Sequence, residues 1–508
     1  MQHYDIIIIG TGAGGGTMAH ALAPTGKKIL ILERGDYLPR ERENWSTDAV
    51  FKQKRYQAHD TWTYNGTPFR PEIHYWVGGN TKMFGAAMFR LRESDFREVR
   101  HSGGISPSWD VGYDVFAPYY TQAEQLYHVH GERGIDPTEP PTQDAYPYPP
   151  LSHEPRVAQL KADLEKLGYR PFPLPMGIRL GEGVGESPIH HSTFDGYPDL
   201  TESKADAHVI AVKPALRHEN ITLLTNRTVW KLATDATGRT VNEVHVHHHG
   251  QLEVYGADVV IVAAGAANSA AIFLRSSSNH HPRGLANAND YVGRHYLCHN
   301  NATFLAISKE RNDSIFQKTL AISDWYDASA DWEYPMGLIQ MLGKVDETLM
   351  AFEAPQPIHD MSYADLAAHS LDFWLQSEDL PDFNNRVTIN SEGAIELHYT
   401  ENNLEAYNRL VDKLKSLLSH IGCHEHLVPV DYYLGTKFPF NLAHQAGTMR
   451  FGNDPQTSVL DRNCKPHELE NVYVTDASFM PSIGAVNPSL TIIANALRVA
   501  DHLKSAVL

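Results

Sequence analysis

The N-terminal 35 residues constrain the fold more than any other part of the chain. Residues 4–9 read Tyr-Asp and then four isoleucines, which is typical of a strand buried on both faces of a parallel sheet. A glycine-rich turn follows at once, residues 17–22 predict a helix, and residues 27–32 predict a second buried strand. The segment therefore predicts a βαβ unit with a dinucleotide-binding fingerprint in its first turn.

The glycines of this turn have distinct expected roles. Gly10 makes the tight turn after the strand, Gly12 lets the backbone approach a pyrophosphate, and Gly15 lets the helix pack on the strand. Ala13 and Gly14 open the helix, whose N-terminus carries about half a positive charge toward the phosphates. We therefore expect all five residues to bind a dinucleotide.

An acidic residue stands at the end of the second predicted strand. Glu33 follows the glycines by about 20 residues, the spacing at which a carboxylate accepts hydrogen bonds from ribose hydroxyls. With its neighbour Arg34, we expect it to bind the adenosine end of the cofactor. The fingerprint alone does not separate NAD from FAD.

Two distant segments repeat the α/β pattern. Residues 254–265 predict a hairpin strand and then a buried strand at 259–262, followed by a helix to Leu274. Near the C-terminus, residues 472–474 predict a strand, and Asn487-Pro488 opens a helix to about Leu503. The nucleotide-binding part is thus predicted to come from separate blocks of sequence.

A second glycine-rich segment lies at residues 76–87, too far along the chain to belong to the first unit. Its paired glycines with Asn and Thr would let backbone N–H groups reach a large flat cofactor, although a surface turn fits the pattern as well. The residues of this segment expected to contact the cofactor are Gly78, Gly79, Asn80, Thr81, Met83, Gly85 and Ala86.

Composition excludes several classes of protein. The 508 residues include 43 basic and 61 acidic side chains, a net charge of −18, which disfavours a nucleic-acid partner. Three cysteines cannot form a disulfide framework. Because no basic N-terminal leader and no long apolar span appear, we expect a cytoplasmic protein that does not insert into a membrane. An oligomer is compatible with the sequence.

Taken in order, these motifs resemble those of glucose–methanol–choline oxidoreductases. The resemblance runs from Asp5 to Leu503 and includes the turn Ala263–Ala266, the segment His444–Thr448 and Asn487-Pro488. It implies FAD bound in an extended form, with a substrate domain over the isoalloxazine. By the same resemblance, the further cofactor contacts are Val229, Ala264, Gly265, Asp476, Ala477, Asn487 and Pro488.

The resemblance also implies the fold class and the domains. We expect an α/β protein with a Rossmann-like FAD-binding domain and an α+β substrate domain that contains a large antiparallel sheet. The FAD-binding domain would comprise residues 1–100, 196–298 and 445–508, and the substrate domain residues 101–195 and 299–444. In some members a histidine after the glycine pair attaches covalently to the flavin. Met83 stands there in this chain, so we expect non-covalent FAD.

His444 and Asn487 are the candidate catalytic residues. Oxidation of an alcohol removes a hydride, which flavin N5 accepts, and a proton, which histidine can accept near neutral pH. Asn487 would orient the same hydroxyl and stabilise developing negative charge on its oxygen. We expect no metal site. The histidines at 245–249 alternate across a strand, and Cys423-His424-Glu425-His426 lacks a second ligand pair.

Other segments point to bacterial pyranose and glycoside oxidases within the family. These are Phe194–Pro198, and Ser377–Pro381 with Asn385–Val387. Glu378 would hold His444, bind a sugar hydroxyl or pair with Arg386, and it joins Gln376 as a weak candidate for substrate binding. The sequence therefore predicts oxidation of a secondary alcohol of a sugar or glycoside to a ketone, with electrons passed to oxygen or to a quinone- or dye-type acceptor.

Three alternatives stay open. A choline-like or aliphatic alcohol is one, because an aromatic cage for a cation could be built from the residues Trp325, Tyr326, Trp332 and Tyr334. A flavin-binding sensor without turnover is the second. An NAD-dependent enzyme is the third.

Overall fold

The computed structural model describes residues 1–181, 193–353, 361–423 and 443–508. Within them the strands are β1 Gln2–Ile9, β2 Ile29–Leu32, β3 Trp62–Tyr64, β4 Thr67–Phe69, β5 Val99–His101, β6 Gly104–Ser106, β7 Val129–His130, β8 Phe172–Pro173, β9 Met176–Gly177, β10 Ile221–Leu224, β11 Thr228–Thr234, β12 Val241–His248, β13 Gln251–Val262, β14 Asn300–Ile307, β15 Leu320–Ile322, β16 Leu338–Met341, β17 Ser370–Ser377, β18 Arg386–Ile389, β19 Ile395–His398 and β20 Val472–Val474.

The described α-helices pack around these strands. They are α1 Ala13–Leu22, α2 Tyr113–Leu126, α3 Pro155–Lys166, α4 Lys213–Ala215, α5 Ala266–Arg275, α6 Glu347–Glu353, α7 Tyr363–His369, α8 Leu404–His420 and α9 Ser489–Ala506. Short 3-10 and π turns join them, including one at Gly79–Lys82. No helix in the described ranges is long and apolar enough to cross a membrane.

The predicted βαβ unit is confirmed and forms the centre of a seven-stranded sheet. Strands run in the order β10-β2-β1-β13-β12-β11, and β20 also pairs with β13. The pairs β10–β2, β2–β1, β1–β13 and β13–β20 are parallel. Residues Ile6–Ile9 are at most 3% exposed, as expected for a strand covered on both faces. Helix α1 begins at Ala13, earlier than the predicted residue 17.

Strand β13 departs from prediction. Residues 254–265 predicted a hairpin strand and a separate buried strand, but residues 251–262 form one continuous strand that changes partner along its length. Its first half pairs antiparallel with β12, and its second half pairs parallel with β20. Continuity arises because Gly256 and Ala257 keep the extended backbone where the exposed half meets the buried half.

An antiparallel sheet of five strands, in the order β14-β17-β16-β15-β8, confirms the expected second sheet. Side chains of β17 alternate between its faces. Leu371, Phe373 and Leu375 pack into an apolar cluster with α8, while Trp374 on the opposite face lines the large cavity described below. This sheet therefore supplies one wall of the site.

A smaller sheet joins segments from both predicted domains. Strands β3 and β4 pair with each other, and β3 pairs with β19, which pairs with β18. Residues 62–69 come from the first predicted FAD-binding block, whereas residues 386–398 come from the predicted substrate block. The division into two discontinuous domains stays a prediction.

Candidate active site

One elongated cavity of about 1140 Å³ connects the motifs of the three sequence blocks. Three helix N-termini open onto it, at Ala13 of α1, Ala266 of α5 and Ser489 of α9. The predicted cofactor and catalytic residues that line it are Gly10, Gly12, Ala13, Gly14, Glu33, Arg34, Gly79, Asn80, Thr81, Met83, Gly85, Ala86, Val229, Ala264, Gly265, His444, Asp476, Ala477, Asn487 and Pro488. Their roles stay predictions, but they share one cavity.

Some glycines of the first turn are closely surrounded by other atoms, whereas one faces open space. A Cβ on Gly15 would lie 2.1 Å from the Gly10 carbonyl oxygen, and one on Gly14 would lie 2.1 Å from the Thr475 carbonyl oxygen. Gly10 itself has φ +97°, which favours glycine. A Cβ on Gly12 would meet no atom within 4 Å. Close packing thus requires Gly15, which does not line the cavity, whereas Gly12 faces open space.

The second glycine segment lies directly against the first. A Cβ on Gly79 would lie 3.0 Å from the Gly12 Cα. Gly78, which does not line the cavity, donates its N–H to Thr11 Oγ1 over 2.9 Å. The two loops therefore form one continuous backbone surface, as expected for a cofactor cradle rather than for a surface turn.

Glu33 is held by the protein at the adenosine end. Its Oε2 accepts hydrogen bonds from Thr11 N and Oγ1 at 3.1 and 2.5 Å, and its Oε1 accepts one from Gly35 N at 2.8 Å. Burial raises the pKa of the Glu33 carboxyl, although these hydrogen bonds oppose the shift. Each carboxylate oxygen can accept more than one hydrogen bond, so the position remains suited to a ribose hydroxyl.

Neighbouring side chains that sequence reasoning missed hold Arg34. Its guanidinium pairs with Asp60 at 2.6 Å and lies 4.0 Å from the Tyr75 ring centroid. Tyr75 in turn donates to Asp60 over 2.9 Å. Arg34 and Tyr75 both line the cavity, so a flat cation–aromatic pair borders the adenosine end.

Asp476 ties two of the sequence blocks together. Its Oδ2 accepts hydrogen bonds from Gly265 N at 3.0 Å and from Ser269 Oγ at 2.5 Å. Its Oδ1 accepts from Ser478 N at 2.9 Å. Burial raises the pKa of this carboxyl. The carboxylate therefore fixes the start of α5 against the segment that follows β20.

His444 lies at the far end of the cavity, beside a second histidine that sequence reasoning missed. His444 Nδ1 is 3.0 Å from His299 Nδ1, and the two rings meet edge to face. Burial, and secondarily the Lys318 charge, lower the pKa of His444 to about 4. The imidazole is therefore neutral, and able to accept a proton, throughout the physiological range.

Asn487 lies at the same end and is held by the antiparallel sheet. Its Oδ1 accepts a hydrogen bond from Gln340 Nε2 at 2.8 Å. Gln340 and Thr303 both stand directly opposite Trp374 on neighbouring strands, and all three line the cavity. The strand pairing thus places the Gln340 amide, the Thr303 hydroxyl and the Trp374 indole side by side on the wall of the cavity.

An ion pair completes this end of the cavity. Lys318 Nζ lies 2.5 Å from Asp195 Oδ1, and the Lys318 side chain is 3% exposed. A Cβ on Gly85 would lie 2.7 Å from Lys318 Nζ, so the pair touches the second glycine segment. Asp195 belongs to a segment that carries the family resemblance, but no local signal identified Lys318.

Glu378 and Gln376 lie behind the site rather than in it. Neither lines the cavity, although both were expected to contact substrate. Glu378 Oε2 lies 3.0 Å from His101 Nε2, and Arg386 instead pairs with Asp290 at 3.2 Å. Gln376 shares the Trp374 face of β17, but its amide lies 3.4 Å from His299 Nε2, whereas Glu378 follows the end of the strand.

Other predicted features are also located. The four aromatic residues considered for a cation cage, Trp325, Tyr326, Trp332 and Tyr334, do not line the cavity. His245 and His248 each pair with a glutamate, Glu243 and Glu253. Among the described residues no cluster of three metal-binding side chains occurs, and residues 424–426 lie outside the described ranges.

The cavity fits an extended dinucleotide with a redox group at its far end. No side chain caps α1, so its first backbone N–H groups are available to an anion such as a pyrophosphate. Glu33, His444 and Asn487 all line the cavity. Fold and cavity are therefore those of a dinucleotide-binding protein.

Comparison with known families makes the assignment specific. The models of the N- and C-terminal GMC oxidoreductase domains match residues 4–301 and 384–496. The chain therefore belongs to the GMC oxidoreductase family, whose members are flavoproteins that act on CH–OH groups. It is an FAD-dependent enzyme.

Individual relatives extend over almost the whole chain. Paromamine 6'-oxidase from Streptomyces fradiae is 28% identical, and the alignment covers 98% of this chain and 90% of the relative. The fructose dehydrogenase large subunit from Gluconobacter japonicus is 23% identical over 98% and 97%. The solved structure of pyridoxine 4-oxidase from Mesorbium loti has a TM-score of 0.67 at 18% identity, covering 99% of both chains.

Proposed function

We propose that this enzyme oxidises a secondary alcohol of a sugar or glycoside to a ketone. Relatives named for paromamine and for fructose support a sugar-like substrate. The polar row of Thr303 and Gln340 beside the Trp374 indole suits a ring that carries several hydroxyls. Electrons would pass to oxygen or to a quinone- or dye-type acceptor, and a cytoplasmic location belongs to the same proposal.

The observation that carries the proposal is that His444 and Asn487 line one cavity, each held by a neighbouring side chain, His299 or Gln340. FAD, when bound, supplies the hydride acceptor at flavin N5. His444, neutral above about pH 4, accepts the proton of the substrate hydroxyl. Asn487, whose amide Gln340 holds over 2.8 Å, donates to the same oxygen and stabilises its developing charge.

The glycine loops and helix ends would hold the cofactor. Gly12, Ala13 and Gly79 would border the pyrophosphate, and Glu33 would border the adenosine ribose. Pro488 brings the N-terminus of α9 to the catalytic end, where it favours negative charge. Met83 lines the cavity, and thioethers do not form the histidyl linkage, so acid precipitation should release all flavin into solution.

The test is His444→Ala in the FAD-loaded enzyme. We expect the variant to keep its flavin but to be reduced by substrate without oxygen at least about 10²-fold more slowly, because the base is gone. His281→Ala is a matched control: His281 is a buried histidine outside the cavity, bonded to the Gly238 carbonyl. Unchanged reduction in His444→Ala would overturn the catalytic assignment.

The substrate class is tested separately. Anaerobic flavin reduction is measured with monosaccharides, glycosides, aliphatic diols and choline, and the product is analysed to locate the oxidised carbon. A ketone formed from a sugar ring is the expected result. Reduction by diols or choline alone would overturn the sugar assignment while leaving the role of His444 intact.

A further inference from the structure

The chemistry of one backbone carbonyl fixes the protonation of His299. Its Nε2 lies 3.0 Å from the carbonyl oxygen of Gly484. A carbonyl oxygen can only accept a hydrogen bond, and the Gln376 amide nitrogen near the same ring atom is farther away, at 3.4 Å, so we assign the proton to Nε2. The His299 side chain is buried, and burial, with the nearby His444, lowers its pKa well below the ordinary value. His299 is therefore neutral, and its Nδ1 has a lone pair.

This tautomer dictates that of His444. The two Nδ1 atoms lie 3.0 Å apart, and one of them must donate for the contact to be a hydrogen bond. Because His299 Nδ1 has no proton, the donor is His444 Nδ1–H. Neutral His444 consequently has its lone pair on Nε2.

Gly484 is itself held from the opposite side. Its N–H donates to Glu378 Oε1 over 3.1 Å, and the same oxygen accepts from Ser106 Oγ at 2.8 Å. Gly484 has φ +56°, and a Cβ there would lie 2.9 Å from Asp95 Oδ2. Gly484 is thus anchored through its own N–H by a buried carboxylate, in a conformation and a space that favour glycine. The following peptide, which carries the carbonyl that orients His299, is held by Ala485 N–H donating to Tyr326 Oη over 3.0 Å.

We propose that His299 is a positioning residue that keeps the His444 proton on Nδ1 and its lone pair on Nε2, with Glu378 anchoring the N–H of Gly484, the residue whose carbonyl orients His299. The inference rests on the proposed role of His444 as the base. In the proton-transfer step the substrate O–H bond breaks and a His444 Nε2–H bond forms. The resulting imidazolium keeps its Nδ1–H bond to His299, and no other proton needs to move.

The first test compares two substitutions of His299 with a matched control. His299→Leu removes the acceptor, whereas His299→Asn keeps an oxygen near the position of Nδ1. We expect His299→Leu to slow flavin reduction at saturating substrate about 10²-fold, with the KM changed far less, because a freed imidazole samples the wrong tautomer. In His299→Asn, flavin reduction should be at least about tenfold faster than in His299→Leu. His281→Leu breaks a similar bond to a glycine carbonyl, and its flavin should be reduced by substrate at the normal rate.

A double-mutant cycle separates positioning from a merely structural role. If His299 acts through His444, the variant with both His299→Leu and His444→Ala should be no slower than His444→Ala alone. Additive losses would overturn the proposal, as would normal reduction in His299→Leu. Normal reduction in His444→Ala would instead overturn the proposed function first, so the two failures are distinguishable.

A direct measurement needs no activity. Enzyme labelled with nitrogen-15 histidine shows separate signals for protonated and unprotonated ring nitrogens, and the signals lost in His444→Ala belong to His444. We expect its Nδ1 to be protonated and its Nε2 unprotonated in the FAD-loaded enzyme. A proton on Nε2 in the resting enzyme would overturn the proposal even if the variants of His299 were too unstable to study.

Discussion

The two ends of the cavity are built in different ways. At the end predicted to hold adenosine, the walls are mainly backbone, from the glycine segments at residues 10–15 and 76–87 and from the start of α1. At the catalytic end, side chains meet from separate segments, with His299, Lys318, Gln340, His444 and Asn487 each on a different one. The comparison teaches that the predicted cofactor site depends mainly on backbone conformation, whereas the predicted catalytic site depends on side chains brought together by long-range pairing.

The largest expected effect is at the catalytic end. Asn487→Ala should slow flavin reduction by about 10²–10³-fold, because a donor to the developing oxyanion is lost. FAD content and thermal unfolding should stay close to wild type, since a side chain and not the loop backbone is altered. Stopped-flow reduction and flavin absorbance measure the two effects. If Asn487→Ala lost FAD as well as activity, the contrast between the two ends of the cavity would be contradicted.

At the adenosine end, two glycine substitutions should separate packing from binding. Gly15→Ala should lower the free energy of unfolding by about 3 kcal/mol, because its Cβ would lie 2.1 Å from the Gly10 carbonyl oxygen. Gly12→Ala should leave the stability of the FAD-free protein nearly unchanged, since no atom lies within 4 Å of its Cβ, but should weaken FAD binding. Denaturant unfolding measures the stability of both variants, and flavin titration measures their affinity for FAD. Equal losses of stability in Gly15→Ala and Gly12→Ala would contradict the separation of packing from binding.

Stability should also depend on pH through a carboxyl behind the catalytic end. Burial, and secondarily the charge of Glu378, raise the pKa of Asp95 to about 7. Between its ordinary pKa of about 4 and about 7, the folded protein therefore holds a proton that the unfolded chain releases, so stability falls as the pH rises through this window. In Asp95→Asn, the fall in Tm across this pH window should be smaller than in the wild type by on the order of 2 °C. An unchanged slope would show that Asp95 does not titrate there.

The smallest expected effect concerns the acid limit of activity. Because His444 must be unprotonated to act and its pKa is about 4, flavin reduction should be constant above about pH 5 and fall tenfold per unit below pH 4. The double variant Asp195→Asn with Lys318→Met removes the buried pair without leaving a lone charge. Loss of the Lys318 charge should move the limit to higher pH. A shift to lower pH would contradict the electrostatic role of Lys318.

The same contrast explains how much the sequence could predict. The strand β1, the glycine turns and Glu33 follow local rules of spacing, so they could be located without a structure. His444 and Asn487 were found only through the family resemblance. His299 and Lys318 carry no local pattern, because their proximity to His444 arises from sheet pairing and loop packing over more than a hundred residues. Glu378 lies outside the cavity lining, and its predicted contact with substrate stays a prediction.

The change of partner along β13 has a consequence for how the protein is made. Its second half pairs with β1 along one edge, but its other edge lacks its partner until β20, which begins at residue 472, has been made. The segment that closes the flavin end, Asn487 and the start of α9, is synthesised later still. A growing chain can therefore assemble β1, α1, β2 and β13 early, but it cannot enclose FAD until most of its length has left the ribosome. Cofactor capture is thus a late step in biosynthesis, and chains that stall before residue 472 should accumulate without flavin.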